Sequence, residues 1–189
     1  MYTTHYHKGC TVNRIMLDLE TYATGPDAMV LSLGACLFNE EEVGDGIYLV
    51  LDRADQWGKR EINADTMKWW DQQSDKAKEV LTAPTTPVKN ALSCFTQFIE
   101  HFADDTKNVE MWGNGSDFDN VILGTLYRDF EVKMPWKYSN NRCFRTLKNL
   151  CLAYDSHDLP EREGTHHNAL DDAIYQAAMA GRYLKGKLK

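Results

Sequence analysis

No two cysteines in this chain form a C-x-x-C pair. The five present, Cys10, Cys36, Cys94, Cys143 and Cys151, are odd in number and widely scattered. That argues against a zinc ribbon and against a disulfide framework, and it suits a reducing cytosol. Long hydrophobic runs are missing too. The longest nearly apolar stretch, Met29 to Phe38, carries Ser32 and Gly34 and is too short to cross a bilayer. The N-terminus, Met1 to Lys8, is polar and lacks the apolar core of a secretory signal. A cytoplasmic location with no membrane partner is therefore expected, and residues 1–11 are read as a flexible N-terminus. Positive charge is in deficit: 21 Lys and Arg face 28 Asp and Glu, a net charge of −7. A broad, salt-sensitive footprint on duplex nucleic acid is not expected from such a balance. The objection weakens if several acids hold divalent cations, which then supply the positive charge. A small site gripping one chain end remains open. Internal repeats and low-complexity linkers are absent as well, so residues 12–189 are read as a single domain, long enough to bury most of a core.

What is present begins with Val12 to Leu19, mostly apolar without Gly or Pro, the pattern of a strand covered on both faces. Met29 to Phe38 and Ile47 to Leu51 read as the next strands, separated by the acidic, Gly-containing Asn39 to Gly46; an antiparallel meander is expected. Arg53 to Asn63 is polar and reads as loop. Ala64 to Gln73 reads as a helix bearing Trp69 and Trp70, with one ring expected in the core and one at its edge. An aromatic platform for a base is the alternative. Ser74 is placed as the N-cap of a second short helix ending at Leu81. Thr86 as N-cap and Pro87 at the first position open the clearest helix, with Val88, Leu92, Phe95, Phe98, Ile99 and Phe102 on one face. Val109 to Trp112 is a short strand, followed by a helix from about Asp117 to Tyr127. Arg142, Arg145 and Lys148 form a basic cluster at the start of a helix containing Leu147, Leu150 and Cys151; contact with phosphates and a solvated face both explain it. Leu159 to His166 reads as polar loop. Asn168 to Leu184 is the final helix, whose Ala169, Ala173, Ala177 and Ala180 allow close packing. The class is α/β, a sheet with helices layered on it.

Acids interrupt this pattern at three places. Asp18 and Glu20 stand at i and i+2 of the first strand and so point to the same face. Either the strand ends at Asp18 and both are solvated at its rim, or they are buried and require a cation. In Ser116-Asp117-Phe118-Asp119, Ser116 as N-cap would put Asp119 at N3 of a capping box. Asn168 is a plausible N-cap with Asp171 at N3, which leaves Asp172 without a capping role and His167 free to bend over the same site. Taken together, Asp18, Glu20, Asp119 and Asp172 are four carboxylates on three elements, an all-oxygen set that suits Mg²⁺ or Mn²⁺ rather than zinc. Two such ions clamp the attacking and leaving oxygens of a phosphodiester. His167, with an ordinary pKa near ~6.5, is positioned to take a proton at neutral pH.

The order and spacing of these residues resemble a known family. Asp18-Leu-Glu20-Thr21 resembles the first motif of the DnaQ-like, or DEDDh, 3′→5′ exonucleases. Asn114-Gly-Ser-Asp-Phe118-Asp119 resembles the second, and His167-x-Ala169-x-x-Asp172 the third. Trp69-Trp70-x-x-Gln73 and Arg142-x-x-Arg145-Thr146 are further similar to the compact DexA-like and RNase T-like branch. The resemblance implies an RNase H-like mixed sheet, two Mg²⁺ or Mn²⁺ ions held by Asp18, Glu20, Asp119 and Asp172, and His167 as general base. It also implies release of nucleoside 5′-monophosphates from single-stranded 3′ ends of RNA or DNA, with Thr21, Asn114 and Phe118 beside the terminal nucleotide. RNase T-like relatives further suggest a homodimer. Two features depart from the pattern: Tyr22-Ala23 interrupts the usual Thr-Thr-Gly continuation of the first motif, and His166 adds a second candidate base. A non-catalytic binding module on the same fold and a hydrolase of short oligonucleotides are the rival readings.

Overall fold

The computed structural model describes residues 13–152 and 160–187. The reading of residues 1–11, and Val12 and Leu159 at the edges of two expected elements, lie outside them. Arg14–Thr21 (β1), Val30–Phe38 (β2), Val43–Val50 (β3), Glu110–Gly113 (β4) and Asn141–Cys143 (β5) form one mixed sheet in the order β3-β2-β1-β4-β5. The first three strands are an antiparallel meander; β4 runs parallel to β1, and β5 parallel to β4. Strand β1 continues through the acids to Thr21, and every residue from Ile15 onward is buried. The strand therefore does not end at Asp18, and the solvated-rim reading fails.

Two boundaries differ from expectation for physical reasons. β3 begins at Val43, because Gly46 pairs with Cys36 and Val43 with Phe38. An edge strand with one solvated side needs no apolar run, so its polar start reads as a turn. Helix Val88–Phe102 (α3) has Pro87 at its cap position without a side-chain bond; the Val88 N–H is taken instead by Asp55 Oδ2 at 2.9 Å. Thr86 is occupied in a bridge to Leu51 and does not cap. Ser74, in contrast, does cap helix Asp75–Lys78 (α2), which follows helix Ala64–Asp71 (α1), by accepting from the Ala77 N–H. The segment read as loop, Arg53 to Asn63, carries two buried polar side chains. Gln56 pairs with both the N–H and the carbonyl of Val30, and Arg60 donates to the Ala28 carbonyl and to Asp129. Polar composition hid their burial, since buried polar groups are tolerated wherever hydrogen bonds meet them.

Alternation along β1 builds two layers. Ile15, Leu17 and Leu19 join a core with Leu92, Phe95 and Ile99 of α3 and with Ile122 and Leu126 of helix Asp119–Asp129 (α4). Met16 faces the other way, into a cluster with Ala173, Ala177 and Ala180 of the last helix, Ala169–Lys187 (α6), and with Phe144, which opens helix Phe144–Leu152 (α5). Asp18 and Glu20 share the Met16 face, so the sheet aims them toward α6.

Gly34 determines how closely α6 approaches. It lies opposite Asp18 in the register, and a Cβ there would fall 2.1 Å from the Ala169 carbonyl carbon and the Leu170 nitrogen. Only glycine lets the first turn of α6 rest on the sheet at this height. Gly34→Ala is expected to cost about 1–3 kcal/mol, as overpacking does, and to displace Asp172 from Asp18. Thermal denaturation checks this; a variant with unaltered stability would show that the contact is dispensable.

Candidate active site

Asp18, Glu20, His167 and Asp172 line one pocket of about 630 Å³, together with Thr21, Asn114 and Phe118. Asp119 lies behind its wall, 1% exposed. None of the four acids exceeds 9% exposure, which rules out simple solvation for any of them. β1 contributes two, the start of α4 one and the first turn of α6 one.

Each acid has a distinct local setting. α4 begins at Asp119 with Phe118 at the cap position, so Ser116 does not cap and Asp119 is not at N3. Its carboxylate accepts instead from the Leu19 N–H at 3.0 Å and the Asn114 N–H at 2.7 Å, joining β1 to the β4–α4 turn. Asp18 Oδ1 accepts from Gln176 Nε2 at 2.7 Å. The capping assignment at α6 holds: Asn168 Oδ1 accepts from the Leu170 and Asp171 N–H groups, and Asp171 Oδ2 accepts from the Thr165 N–H. Asp172 is thereby left for the pocket, where Oδ2 accepts from the His167 N–H at 3.0 Å. His167 has φ +65°, a left-handed conformation that costs a non-glycine residue energy and recurs where function fixes the backbone. Its Nδ1 stands 3.9 Å from Glu20 Oε1, and its ring meets the edge of Trp69 at 4.7 Å. His166 is exposed, its ring 4.0 Å from that of His167.

Crowding shifts the protonation of these groups. Burial, then the charges of Asp119 and Glu20, hold Asp18 well above the usual carboxylate range. Burial and Asp119 push Glu20 up to about 8. Burial raises Asp119 to about 6 against the two N–H groups that favour its anion. Burial, with the charges of His166 and Arg162, lowers His167 to about 4. The carboxylates bind protons more tightly folded than unfolded, so their contribution is complete below about pH 4 and is lost as pH rises through about 6 and 8. The His167 contribution has the opposite sense: complete above about 6.5, it is lost as pH falls toward 4. Above pH 6.5 the carboxylates act alone. Chelator-treated protein is therefore expected to lose thermal stability between about pH 6.5 and 9, with added Mn²⁺ restoring far more at pH 8.5 than at pH 5.5. A melting temperature flat over that range, with or without Mn²⁺, would contradict this electrostatic account.

A cation fits this arrangement. Ligand atoms of Glu20, His167 and Asp172 lie within 4.8 Å of one another, and the carboxylate-rich set matches a hard divalent ion. Asp18 and Asp119 stand just outside that tightest grouping, their oxygens turned to Gln176 and to backbone amides.

Sequence reasoning passed over two groups here. Gln176 is one turn beyond Asp172 on the same helix face, and that i, i+4 spacing was the available signal. Arg162 comes from the loop before His167 and contacts Asp172; nothing in its neighbourhood marks it. The basic cluster divides: Arg142 pairs with Glu110, whereas Lys148 lines the pocket. The tryptophan pair behaves as expected. Trp70 is buried with its Nε1–H on the Thr21 carbonyl, and Trp69 is 39% exposed at the pocket wall. Thr21 Oγ1 donates to the Ala23 carbonyl at 2.6 Å, so the departure after the first motif is absorbed within the turn itself.

A mixed five-stranded sheet carrying clustered acids and a histidine at these positions has the RNase H-like architecture of DEDDh exonucleases. The nuclease domain of 3′hExo, a DEDDh family member bound to rAMP, superposes with a TM-score of 0.65 at 13% identity, covering 96% of each chain. E. coli Exonuclease I in complex with a 5cy-dA13 oligonucleotide gives 0.62 at 13% identity, over 92% of this chain and 40% of that one. In sequence, the exodeoxyribonuclease of Enterobacteria phage T4 is 27% identical over 204 residues, 90% of both proteins. The model of the 3′-5′ exoribonuclease Rv2179c-like domain matches residues 13–184. The chain belongs to that family and is a 3′-5′ exonuclease. Among the described residues no helix is long and apolar enough to cross a membrane.

Proposed function

We propose that this exonuclease depends on Mg²⁺ or Mn²⁺ and releases nucleoside 5′-monophosphates from single-stranded 3′ ends. Asp18, Glu20, Asp119 and Asp172 would hold a pair of ions. When bound, such a pair neutralises charge on the scissile phosphate and stabilises the attacking and leaving oxygens. His167 removes the proton of the attacking water; with its pKa near 4 it is neutral at pH 7 and has a lone pair to offer. Thr21, Asn114 and Phe118 form the wall against which the terminal nucleotide sits. Three buried acids and His167 lining a single pocket, with buried Asp119 bonded to the Leu19 and Asn114 amides beside it, support this reading. The family description favours RNA, whereas the T4 relative is called an exodeoxyribonuclease. Matched RNA and DNA oligomers, 3′-labelled and incubated with each metal, test both points. Mononucleotide release that requires added metal is the expected result. Wild-type protein inert on both polymers with both metals rejects the proposal.

A further inference from the structure

Arg162 is a partly exposed cation in this pocket to which the proposed chemistry gives no role. One of its guanidinium nitrogens, Nη2, contacts Asp172 Oδ1, and its plane lies over the Tyr175 ring at 4.8 Å. Nε and Nη2 are both buried atoms and neither completes a hydrogen bond, the Asp172 contact being an ion pair alone. Those two nitrogens form one edge of the guanidinium, the edge that grips two oxygens of a phosphate side by side. Here neither nitrogen of that edge is satisfied. Leaving buried charged donor atoms unmet is costly, so the observed pose calls for an acceptor. Lys148 and Arg162 are the lysine and arginine lining this pocket, in a chain of net charge −7, so an incoming phosphodiester has few other cations to meet.

Asp172 is contested. Its Oδ2 takes the His167 N–H, its Oδ1 faces Arg162, and it belongs to the Glu20, His167 and Asp172 grouping suited to a divalent ion. A cation entering there competes with the guanidinium for Oδ1. We propose that Arg162 is a catalytic residue that yields Asp172 to the metal and turns its Nε–Nη2 edge onto the non-bridging oxygens of the phosphate being cleaved, with Tyr175 as its pivot. The inference rests on the exonuclease reading of the pocket.

The two parts of the proposal have opposite signs, which separates them from a structural role. Arg162→Gln is expected to bind Mn²⁺ several-fold more tightly in calorimetric titration, because the competitor for Asp172 is gone. The same variant should bind AMP about 10- to 100-fold more weakly while adenosine binding is unaltered, and kcat should fall about 100-fold, the range for losing one preorganised donor to developing charge. Arg162→Lys keeps the charge without the fork; near-wild-type Mn²⁺ binding with reduced turnover is expected. Lys137→Gln, an exposed substitution of the same charge change, should alter none of these. Mn²⁺ binding that weakens in step with activity would make Arg162 a prop for Asp172 and overturn the proposal. So would unaltered discrimination between AMP and adenosine. Active wild type with an equally active Arg162→Gln defeats only this inference; wild type that degrades nothing defeats the exonuclease reading and this inference with it.

Discussion

Asp18→Asn is expected to abolish mononucleotide release and, in the same preparation, to raise the melting temperature of chelator-treated protein. The two effects have one cause. Asp18 is surrounded by Asp119 and Glu20, and burial plus their charges hold its carboxyl far above the ordinary range. Neutralising it removes repulsion from the metal-free fold, while the amide retains an oxygen to accept from Gln176. A higher melting temperature is therefore expected near pH 8, where Asp18 would otherwise be driven toward its charged form. Below about pH 4, where the neighbouring acids are protonated too, the gain should vanish. Loss of activity should exceed about 10³-fold, more than removal of a single neutral donor produces. Differential scanning calorimetry at pH 8 and pH 4, beside the nuclease assay, checks both. An inactive variant that is also less stable at pH 8 would mean that Asp18 acts through packing and not through charge.

The second large effect separates the adjacent histidines. His167→Ala is expected to lose about 10²- to 10⁴-fold in kcat, the range of a general base, and His166→Ala less than about tenfold. Geometry supports the asymmetry. His167 is held by its N–H on Asp172, its Nδ1 near Glu20 and its ring on Trp69, whereas the His166 side chain is exposed. His167 also occupies φ +65°, so His167→Gly relaxes the backbone while removing the base. That variant should be as inactive as His167→Ala, and at least as stable. Equal losses at 166 and 167 would overturn the choice of base.

Period and spacing carried the fold and the acid set. The i, i+2 pair on an apolar strand placed Asp18 and Glu20 on one face, and Met16 on that face packs against α6 as the alternation requires. Asn168 and Asp171 were legible as a cap because their bonds are local, which is how Asp172 could be singled out. Asp119 was less legible: a capping box over Ser116 matched the same residues, and only its bonds to Leu19 and Asn114 decide against it. Arg60, Arg162 and Gln176 illustrate what a linear pattern leaves out. Each is polar and reads as surface, yet Arg60 and Gln176 are held by partners distant in the chain, Asp129 and the Ala28 carbonyl for Arg60 and Asp18 for Gln176. Arg162 is nearer its partner, but it approaches Asp172 from a loop with no periodicity to reveal its direction.

The seat that Gly34 provides for α6 also sets when the nuclease can first cut during synthesis. The sheet and α4 leave the ribosome with Asp18, Glu20 and Asp119 already in hand, but His167 and Asp172, the proposed base and fourth acid, follow together, just before and within the first turn of the last described helix. Until that helix docks over the glycine, the emerging chain carries an incomplete set of acids and no histidine in reach. On the proposed mechanism a nascent copy is thus unarmed until that helix is seated.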